Sequence, residues 1–287
     1  MAPITGKTEL LAVFGNPISH TLSPAMHNAL LEHLHIPAVY VPVCPSADSL
    51  REAIQGFRAM RFRGANVTIP FKEAVIPFLD ELSPVSAFTQ SVNTLYWKDG
   101  VIGGTLMGTT TDPYGALRNL EEHGILVRGK RVALLGSGGA ARAIAFALLE
   151  KSAKLTIVCR DSAKGNVLVQ KLNEVFPENQ NPVSFCAFSD FEKIFPKIEV
   201  VINATSVGMS PNNNESPLSA HTIHSGMTVY DIVYNPEKTK LLQDAAARGC
   251  KAIGGKGMLV HQGAVSFEYW FPGYQADISV MKQAIGL

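Results

Sequence analysis

Short apolar runs alternate with amphipathic segments along most of the chain. The runs that predict β-strands are residues 10–14, 39–43, 64–69, 131–135, 155–159, 183–188, 200–203 and 228–232. Apolar positions at helical spacing predict helices over residues 23–33, 49–58, 112–123, 140–151 and 162–176. Because strands that alternate with helices form parallel sheets with crossover helices, the pattern predicts an α/β fold.

One segment departs from this alternation. Residues 91–105 read SVNTLYWKDGVIGGT, and their Asp99-Gly100 pair lies between flanks rich in β-branched and aromatic residues. That dipeptide is typical of the turn in a β-hairpin. The N-terminal half is therefore predicted to contain an antiparallel hairpin.

Length and charge limit the classes of partner. The 287 residues suit two domains. The formal net charge is +1 and no block of like charges occurs, which argues against a nucleic-acid partner. No apolar run reaches the roughly 18 residues that a membrane span needs, and the first residues lack the apolar stretch of a cleavable signal. We therefore expect a soluble, cytoplasmic protein that binds neither nucleic acid nor a membrane.

The four cysteines, Cys44, Cys159, Cys186 and Cys250, are scattered along the chain. They form no C-x-x-C pair and show no spacing typical of metal ligands. Three of them lie in or beside apolar, strand-like runs, which predicts buried reduced thiols. The sequence therefore predicts no metal site.

The clearest motif is KRVALLGSGGAARAIAFALL, residues 130–149. A buried strand runs into Gly136-Ser137-Gly138-Gly139-Ala140-Ala141, and a long alanine-rich helix follows. The first glycine suits a tight turn, the second lets backbone approach a pyrophosphate, and the small last residue lets the helix pack on the strand. The N-terminus of such a helix also presents free N–H groups to phosphates. Because the motif stands between a strand and a helix, it predicts dinucleotide binding.

The end of the next strand indicates which dinucleotide is bound. NAD-binding units usually place Asp or Glu there, about 20 residues after the glycines. Here the strand ends in Arg160, and Lys164 follows within one helical turn. A guanidinium can hold the 2′-phosphate of NADP through two parallel hydrogen bonds. The sequence favours NADP over NAD, although the Asp161 carboxylate could offset Arg160 or bind a ribose hydroxyl itself.

A nicotinamide enzyme also needs a group that moves the proton of the substrate alcohol. The chain has no G-x-S-x-G and no H-E-x-x-H motif, so the candidates are polar residues at strand ends of the N-terminal half. Three segments stand out: GANVTIPFK with Asn66, Thr68 and Lys72, SVNTL with Asn93, and GTTTDPYG with Asp112. Taken alone, Lys72 would be a surface lysine and Asp112 a helix N-cap before a proline.

Eight ordered blocks run through almost the whole chain: FGNPISHTLSPAMHN, GANVTIPFK, SVNTL, TDPYG, LLGSGGAARA, INATSVGM, YDIVYNP and GGKGMLVHQGAVSF. Together they resemble the shikimate dehydrogenase family. The resemblance implies a Rossmann-type NADP-binding domain (residues 112–254) and a smaller α/β substrate-binding domain (1–111 and 255–287), with an active-site cleft between them. It also implies NADPH-dependent, reversible reduction of 3-dehydroshikimate to shikimate for aromatic amino-acid biosynthesis, by a monomer or a homodimer.

The same resemblance implies roles for individual residues. Those expected at the substrate are Thr21 and Ser23 on the carboxylate, with Tyr234 nearby, and Asn66, Thr68, Asn93 and Gln262 at the ring hydroxyls. Lys72 and Asp112 would be the paired catalytic groups. The glycine motif and the strand after it supply cofactor candidates Gly136, Ser137, Gly138, Gly139, Ala140, Arg160 and Lys164; the resemblance adds Asn203, Ala204, Thr205, Ser206, Gly255 and Met258.

These residue types suit a polyol acid, because each buried hydroxyl needs a hydrogen-bond partner. Oxidation of its secondary alcohol sends a hydride to nicotinamide and a proton to a base. Lys72 is a candidate base, but its amine has a reference pKa of about 10.4 and becomes neutral only if buried. Asp112 would raise that pKa, so the two would act as one coupled unit. The sequence leaves open which of them carries the proton.

Three tripeptides depart from the family pattern. Thr21-Leu22-Ser23 stands for Ser-x-Ser, Thr110-Thr111-Asp112 for Asn-Thr-Asp, and Cys159-Arg160-Asp161 for Asn-Arg-Thr. The first two bear on the choice of substrate and the third on the choice of cofactor. They leave open a dehydrogenase that prefers quinate or NAD. A catalytically silent sensor of NADP or shikimate is a further alternative, disfavoured by the presence of both Lys72 and Asp112.

Overall fold

The computed structural model describes residues 4–287. Within them the strands are β1 (Glu9–Phe14), β2 (Ala38–Val43), β3 (Gly64–Val67), β4 (Glu81–Leu82), β5 (Thr94–Trp97), β6 (Leu106–Thr109), β7 (Arg131–Leu135), β8 (Lys154–Cys159), β9 (Ser184–Ala187), β10 (Val200–Asn203), β11 (Thr228–Asp231) and β12 (Lys251–Ile253). The helices are α1 (Ser23–His33), α2 (Leu50–Ala59), α3 (Phe71–Ala74), α4 (Pro84–Thr89), α5 (Asp112–Glu122), α6 (Gly139–Glu150), α7 (Ser162–Val175), α8 (Phe191–Ile194), α9 (Lys240–Ala247), α10 (Lys256–Trp270) and α11 (Ile278–Gln283). The predicted α/β fold class is confirmed.

The chain forms two compact units. The first combines the residues up to Thr111 with Val260–Leu287, and the second is Asp112–Leu259. The sequence predicts the second boundary at residue 255. In the structure it falls a few residues later, between Leu259 and Val260 inside helix α10. The first unit is therefore built from two distant parts of the chain.

The first unit contains a six-stranded mixed sheet in the order β2-β1-β3-β5-β6-β4. Strands β2, β1 and β3 run parallel, whereas β5 is antiparallel to both β3 and β6. Because β1 and β3 are neighbours, the segments that follow them emerge at the same edge. A side chain at Gly15 would overlap that of Thr68, so these two segments are in close contact.

Helix α2 covers one face of this sheet. Its residues Leu50, Ile54 and Phe57 recur at helical spacing and are buried. The Phe57 ring stacks on Trp97 with centroids 5.9 Å apart, and the Trp97 indole donates a hydrogen bond to the Phe62 carbonyl. This packed layer supports β1, β3 and β5, whose ends carry the polar candidates.

The second unit contains a six-stranded sheet in the order β12-β11-β10-β7-β8-β9, with every neighbouring pair parallel. This is the strand order of the doubly wound dinucleotide-binding fold. The order reverses between β7 and β10, and ligands of such sheets bind outside the carboxyl ends of the strands at that point. The segments after Leu135 and Asn203 begin there.

The eight predicted strands and five predicted helices are all present, with ends that shift by at most two residues. The predicted hairpin is confirmed as the antiparallel pair β5–β6. Its connection spans residues 98–105, with Asp99 and Gly100 both at positive φ. The sequence pattern missed the short strands β4 and β12, because two or three residues do not establish a period.

The four cysteines are free thiols. The prediction of buried thiols is confirmed for Cys159 and Cys186, while Cys250 is half-buried. It is wrong for Cys44, which is exposed because it lies just past the end of the edge strand β2.

Across residues 4–287, none of the helices combines the length and the apolar character that crossing a membrane would require. The same residues contain no group of three or more His, Cys, Asp or Glu side chains arranged to hold a metal ion.

Candidate active site

The hydroxyl-bearing loop of the first unit lies between β1 and α1. Its start is held by hydrogen bonds from the Asn16 amide to the Ile69 carbonyl (3.1 Å) and from the Asn16 side chain to the Pro45 carbonyl (3.0 Å). At its end the Thr21 hydroxyl accepts from the Ser23 backbone N–H at 3.3 Å, and Ser23 begins helix α1. The loop therefore presents two partly exposed hydroxyls at a helix N-terminus, where an anion is favoured.

Asn66 and Asn93 come together under the same edge of the sheet. Asn66 lies in β3, and its amide nitrogen donates to the Asn93 carbonyl at 3.1 Å. The Asn93 side-chain oxygen accepts from both the backbone N–H (2.8 Å) and the hydroxyl (3.1 Å) of Thr111. Gln262, from helix α10, accepts from the Asn93 amide nitrogen at 3.4 Å. Three predicted substrate residues, Asn66, Asn93 and Gln262, thus belong to one hydrogen-bonded cluster.

Two hydroxyls that the sequence analysis did not select complete this cluster. Thr94 and Ser266 hydrogen-bond each other at 2.8 Å, and both accept from the Asn66 amide nitrogen. Both are fully buried. A cluster of neutral amides and hydroxyls with little charge is suited to a polyol, whose hydroxyls both donate and accept.

Lys72 lies beside this cluster. It belongs to the short helix α3, whose first residue, Phe71, is buried and donates its backbone N–H to the Thr68 carbonyl. The Lys72 carbonyl accepts from the Val92 N–H at 2.9 Å, one residue before Asn93. The structure therefore brings Thr68, Lys72 and Asn93 to one edge of the first unit. Asp112 begins helix α5 and is the first residue of the second unit.

The glycine motif of the second unit has the geometry of a phosphate-binding turn. Gly136 has φ of +114°, and a Cβ there would lie 3.1 Å from the Ala204 carbonyl oxygen, so the position requires glycine. Gly138 is exposed and extended, and Gly139 opens the twelve-residue helix α6. A helix of this length directs its unpaired N–H groups and its positive end toward the loop.

Arg142 adds a charge that the sequence analysis missed. It lies in the first turn of α6, and its guanidinium is 3.9 Å from where a Cβ of Gly139 would stand. The Arg142 Nε is buried and has no hydrogen-bond partner among residues 4–287. In the sequence Arg142 lies within an alanine-rich helix, and no local pattern indicates that its side chain lies beside the phosphate-binding turn.

The structure shows what Asp161 does. Its carboxylate caps helix α7 by accepting from the Lys164 backbone N–H at 3.0 Å, and it lies 3.5 Å from the Lys164 ammonium. The hydrogen bond from the Lys164 backbone N–H is the largest of the effects that lower the pKa of this carboxyl below its usual 3.8. Asp161 therefore serves its own helix, while Arg160 is exposed at the end of β8.

The loop after β10 is organised by a buried carboxylate, Asp231, at the end of the neighbouring strand. Asp231 accepts from the Asn203 amide (3.0 Å), the Val233 N–H (3.0 Å) and the Thr239 hydroxyl (2.7 Å). The Asn203 side-chain oxygen accepts from both the backbone N–H and the hydroxyl of Thr205. Asn203 is fully buried, so its side chain shapes the Ala204–Ser206 loop from within.

The glycine-rich segment 254–257 packs against the end of β11. A Cβ at Gly255 would overlap the Ile232 carbonyl, and one at Gly257 would overlap the Asn119 amide. The Asn119 amide also donates to the Gly254 carbonyl at 3.0 Å. Gly255 therefore lies in a segment held beside Asp231, and Met258 directly follows that segment. Tyr234, also beyond β11, is 59% exposed.

Asp231 should make stability depend on pH. Burial raises its pKa from 3.8 to about 6, more than its hydrogen bonds from Thr239, Val233 and Asn203 lower it. The folded state then binds a proton that the unfolded state has lost, so stability falls as pH rises from about 4 to about 6. One pKa unit is about 1.4 kcal/mol, which makes the total about 3 kcal/mol.

The unfolding free energy of Asp231→Asn, relative to that of the wild type, should therefore rise by about 3 kcal/mol between pH 3 and pH 7. Urea unfolding at several pH values measures this difference. Asp48→Asn, an exposed aspartate of the first unit, serves as the control and should show no such change. A difference between Asp231→Asn and wild type that stays constant with pH would contradict the assignment.

The fold and the site define a class of protein: a two-unit α/β chain with a doubly wound dinucleotide-binding unit and a polar site built from amides and hydroxyls. Three family models match it: "Shikimate dehydrogenase substrate binding domain" over residues 13–95, "Shikimate / quinate 5-dehydrogenase" over 120–233, and "Shikimate 5'-dehydrogenase C-terminal domain" over 255–285. The chain belongs to the shikimate dehydrogenase family.

Relatives and solved structures agree with this assignment. The chain is 39% identical to the shikimate dehydrogenase (NADP(+)) of Carboxydothermus hydrogenoformans, with 99% of each chain covered. The shikimate 5-dehydrogenase of Listeria monocytogenes, solved with shikimate and NAD, is 35% identical, has a TM-score of 0.89, and is covered over 99% of both chains. The Thermus thermophilus enzyme, solved with NADP(H) and shikimate, is 33% identical, with a TM-score of 0.81 and coverage of 96% and 98%.

Proposed function

We propose that this protein is a shikimate dehydrogenase that reduces 3-dehydroshikimate to shikimate with NADPH, and catalyses the reverse reaction with NADP⁺. The step belongs to aromatic amino-acid biosynthesis. The observation that carries the proposal is the buried cluster around Asn66 and Asn93, which offers neutral donors and acceptors to a polyhydroxylated acid. Membership of the family and the relatives named for NADP(+) support the same reaction.

On the substrate side, Thr21 and Ser23 are proposed to bind the carboxylate, with Tyr234 from the second unit nearby. Hydroxyls at the start of α1 can hold an anion without a fixed counter-charge. Asn66, Thr68, Asn93 and Gln262 are proposed to bind or frame the ring hydroxyls. The substrate is then held by many neutral contacts, so an analogue that lacks one hydroxyl leaves buried polar groups unpaired.

Lys72 and Asp112 are proposed to share the proton of the reacting alcohol. In the reductive direction this pair donates a proton to the carbonyl oxygen, and in the oxidative direction it removes one from the hydroxyl.

NADP(H) fits the residues of the second unit, and when bound it supplies or accepts the hydride. The turn Gly136–Ala140 and the start of α6 are proposed to hold the pyrophosphate. Arg160 and Lys164 are proposed to bind the 2′-phosphate, since Asp161 is engaged in capping α7. The remaining proposed contacts come from the strand-end segments with Asn203, Ala204, Thr205, Ser206, Gly255 and Met258.

The proposal is tested by incubating the purified protein with 3-dehydroshikimate and NADPH and separating the products by liquid chromatography with mass detection. Stoichiometric formation of shikimate and NADP⁺ is the expected result. No consumption of NADPH, with NADPH still bound in a fluorescence titration, would contradict the proposal and favour a catalytically silent sensor.

A further inference from the structure

Tyr40 is a buried tyrosine in β2 of the first unit, only 1% exposed. Its phenol donates a hydrogen bond of 2.7 Å to the side-chain oxygen of Asn66. Tyr40 therefore links strand β2 to the amide cluster around Asn66, which belongs to the proposed substrate site.

The orientation of the Asn66 amide follows from its other partners. Its nitrogen faces the Asn93 carbonyl at 3.1 Å, which can only accept, and lies 3.2 Å and 3.0 Å from the hydroxyls of Thr94 and Ser266. The amide hydrogens are thus committed to the interior. Asn66 can meet a substrate hydroxyl only through its side-chain oxygen, which is the atom that Tyr40 holds.

Asn93 is oriented the opposite way. Its side-chain oxygen accepts from the Thr94 hydroxyl (2.7 Å) and from the backbone and side chain of Thr111. A substrate hydroxyl therefore meets Asn93 through the amide nitrogen. The two asparagines present opposite polarities, an acceptor at Asn66 and a donor at Asn93.

Both the backbone and the ring of Tyr40 are fixed by neighbouring side chains. The Asn28 side chain donates to the Tyr40 carbonyl (2.9 Å) and accepts from its N–H (2.8 Å). His27 stacks on the phenol ring with centroids 4.5 Å apart, and Trp270 lies 5.9 Å from it. Burial lowers the pKa of His27 to about 3, so the stacked imidazole is neutral near pH 7. Burial raises the pKa of the Tyr40 phenol well above its usual 10.0, so the phenol keeps the hydrogen that it donates to Asn66.

We propose that Tyr40 is a positioning residue for the substrate: its hydroxyl holds the Asn66 side chain in the orientation in which the side-chain oxygen accepts from a ring hydroxyl of shikimate. The inference rests on the proposed function. Tyr40 acts on binding through Asn66 and not on hydride or proton transfer.

The test is Tyr40→Phe, which keeps the ring and removes the hydroxyl. We expect KM for shikimate to rise about tenfold, because Asn66 loses its donor in a buried position, while kcat and KM for NADP⁺ change less than about twofold. Tyr96→Phe is the matched control: it removes a phenol hydroxyl from β5 of the same sheet, and we expect KM for shikimate to stay unchanged.

A second measurement separates positioning from loosening of the fold. In Asn66→Ala combined with Tyr40→Phe, the increase in KM should be smaller than the product of the two single increases, because the two residues act through one hydrogen bond. An unchanged KM in Tyr40→Phe, equal loss of NADP⁺ binding, or fully multiplicative effects would overturn the inference. If the wild type does not turn over shikimate, the proposed function and this inference both fail. If the wild type turns over shikimate but Tyr40→Phe leaves KM unchanged, only this inference fails.

Discussion

Lys72→Ala should lower kcat for shikimate oxidation about 10³-fold, because general acid–base catalysis contributes about 10²- to 10⁴-fold. Binding of NADP⁺ should be kept, since Lys72 belongs to the first unit and the glycine turn Gly136–Ala140 to the second. Stopped-flow absorbance at the reduced-nicotinamide band measures turnover, and fluorescence titration measures cofactor affinity.

The matched control is Lys98→Ala, in the same unit. Lys98 is a surface lysine that pairs with Glu81 at 2.8 Å, and its loss should leave kcat within about twofold of wild type, since surface pairs contribute little. If Lys72→Ala retained wild-type kcat, the acid–base pair would have to be sought elsewhere. If Lys98→Ala fell as far as Lys72→Ala, the loss would reflect folding and not chemistry.

Arg160→Gln should change the choice of cofactor. Hydrogen bonds to a charged group contribute about 1.5 to 3 kcal/mol, so KM for NADP⁺ should rise by about 10- to 100-fold. KM for NAD⁺, which lacks the 2′-phosphate, should change little. Initial rates with each cofactor at saturating shikimate give both constants.

Arg131→Gln provides the control for that experiment. Arg131 also belongs to the second unit, but it lies at the amino end of β7, where it pairs with Glu199 at 3.5 Å. It should leave KM for both cofactors unchanged. A parallel rise in KM for NADP⁺ and NAD⁺ in Arg160→Gln would mean that Arg160 contacts a part common to both cofactors.

The dinucleotide-binding unit could be predicted from sequence because its signals are local. Strand β7, Gly136 and helix α6 follow one another within twenty residues, and each obeys a rule of spacing or size. The same holds for Arg160, which directly follows a recognisable strand. Short-range rules therefore predict strand β7, helix α6 and the turn between them with ends accurate to within two residues, whereas helices α9 and α10 were not predicted.

The hydrogen-bond network within the site could not be predicted in this way, because its contacts join positions that are far apart in the sequence. Tyr40 and Asn66 are 26 residues apart, and Asn66 and Ser266 are 200 apart. The sequence also does not show that Asp231 is the centre of a hydrogen-bond network, because its partners Asn203 and Thr239 come from different segments. In a parallel sheet the ends of non-consecutive strands become neighbours, and no local pattern states which side chains then meet.

Two of the departures from the family pattern, at Asp161 and at Thr21, have defined contacts in the structure. Asp161, which could have opposed Arg160, caps α7 and pairs with Lys164, so it does not argue against NADP. Thr21 keeps its hydroxyl and uses it to accept from the Ser23 N–H. Its extra methyl group bears on whether a substrate with an additional hydroxyl on the carboxylate-bearing carbon, as in quinate, is accepted.

Initial rates for the four pairings of shikimate or quinate with NADP⁺ or NAD⁺ measure most directly whether this chain oxidises shikimate with NADP⁺. We expect kcat/KM to be highest for shikimate with NADP⁺. A higher value for a quinate or NAD⁺ pairing would contradict the assigned specificity, and no reduction of nicotinamide in any pairing would contradict the enzyme itself.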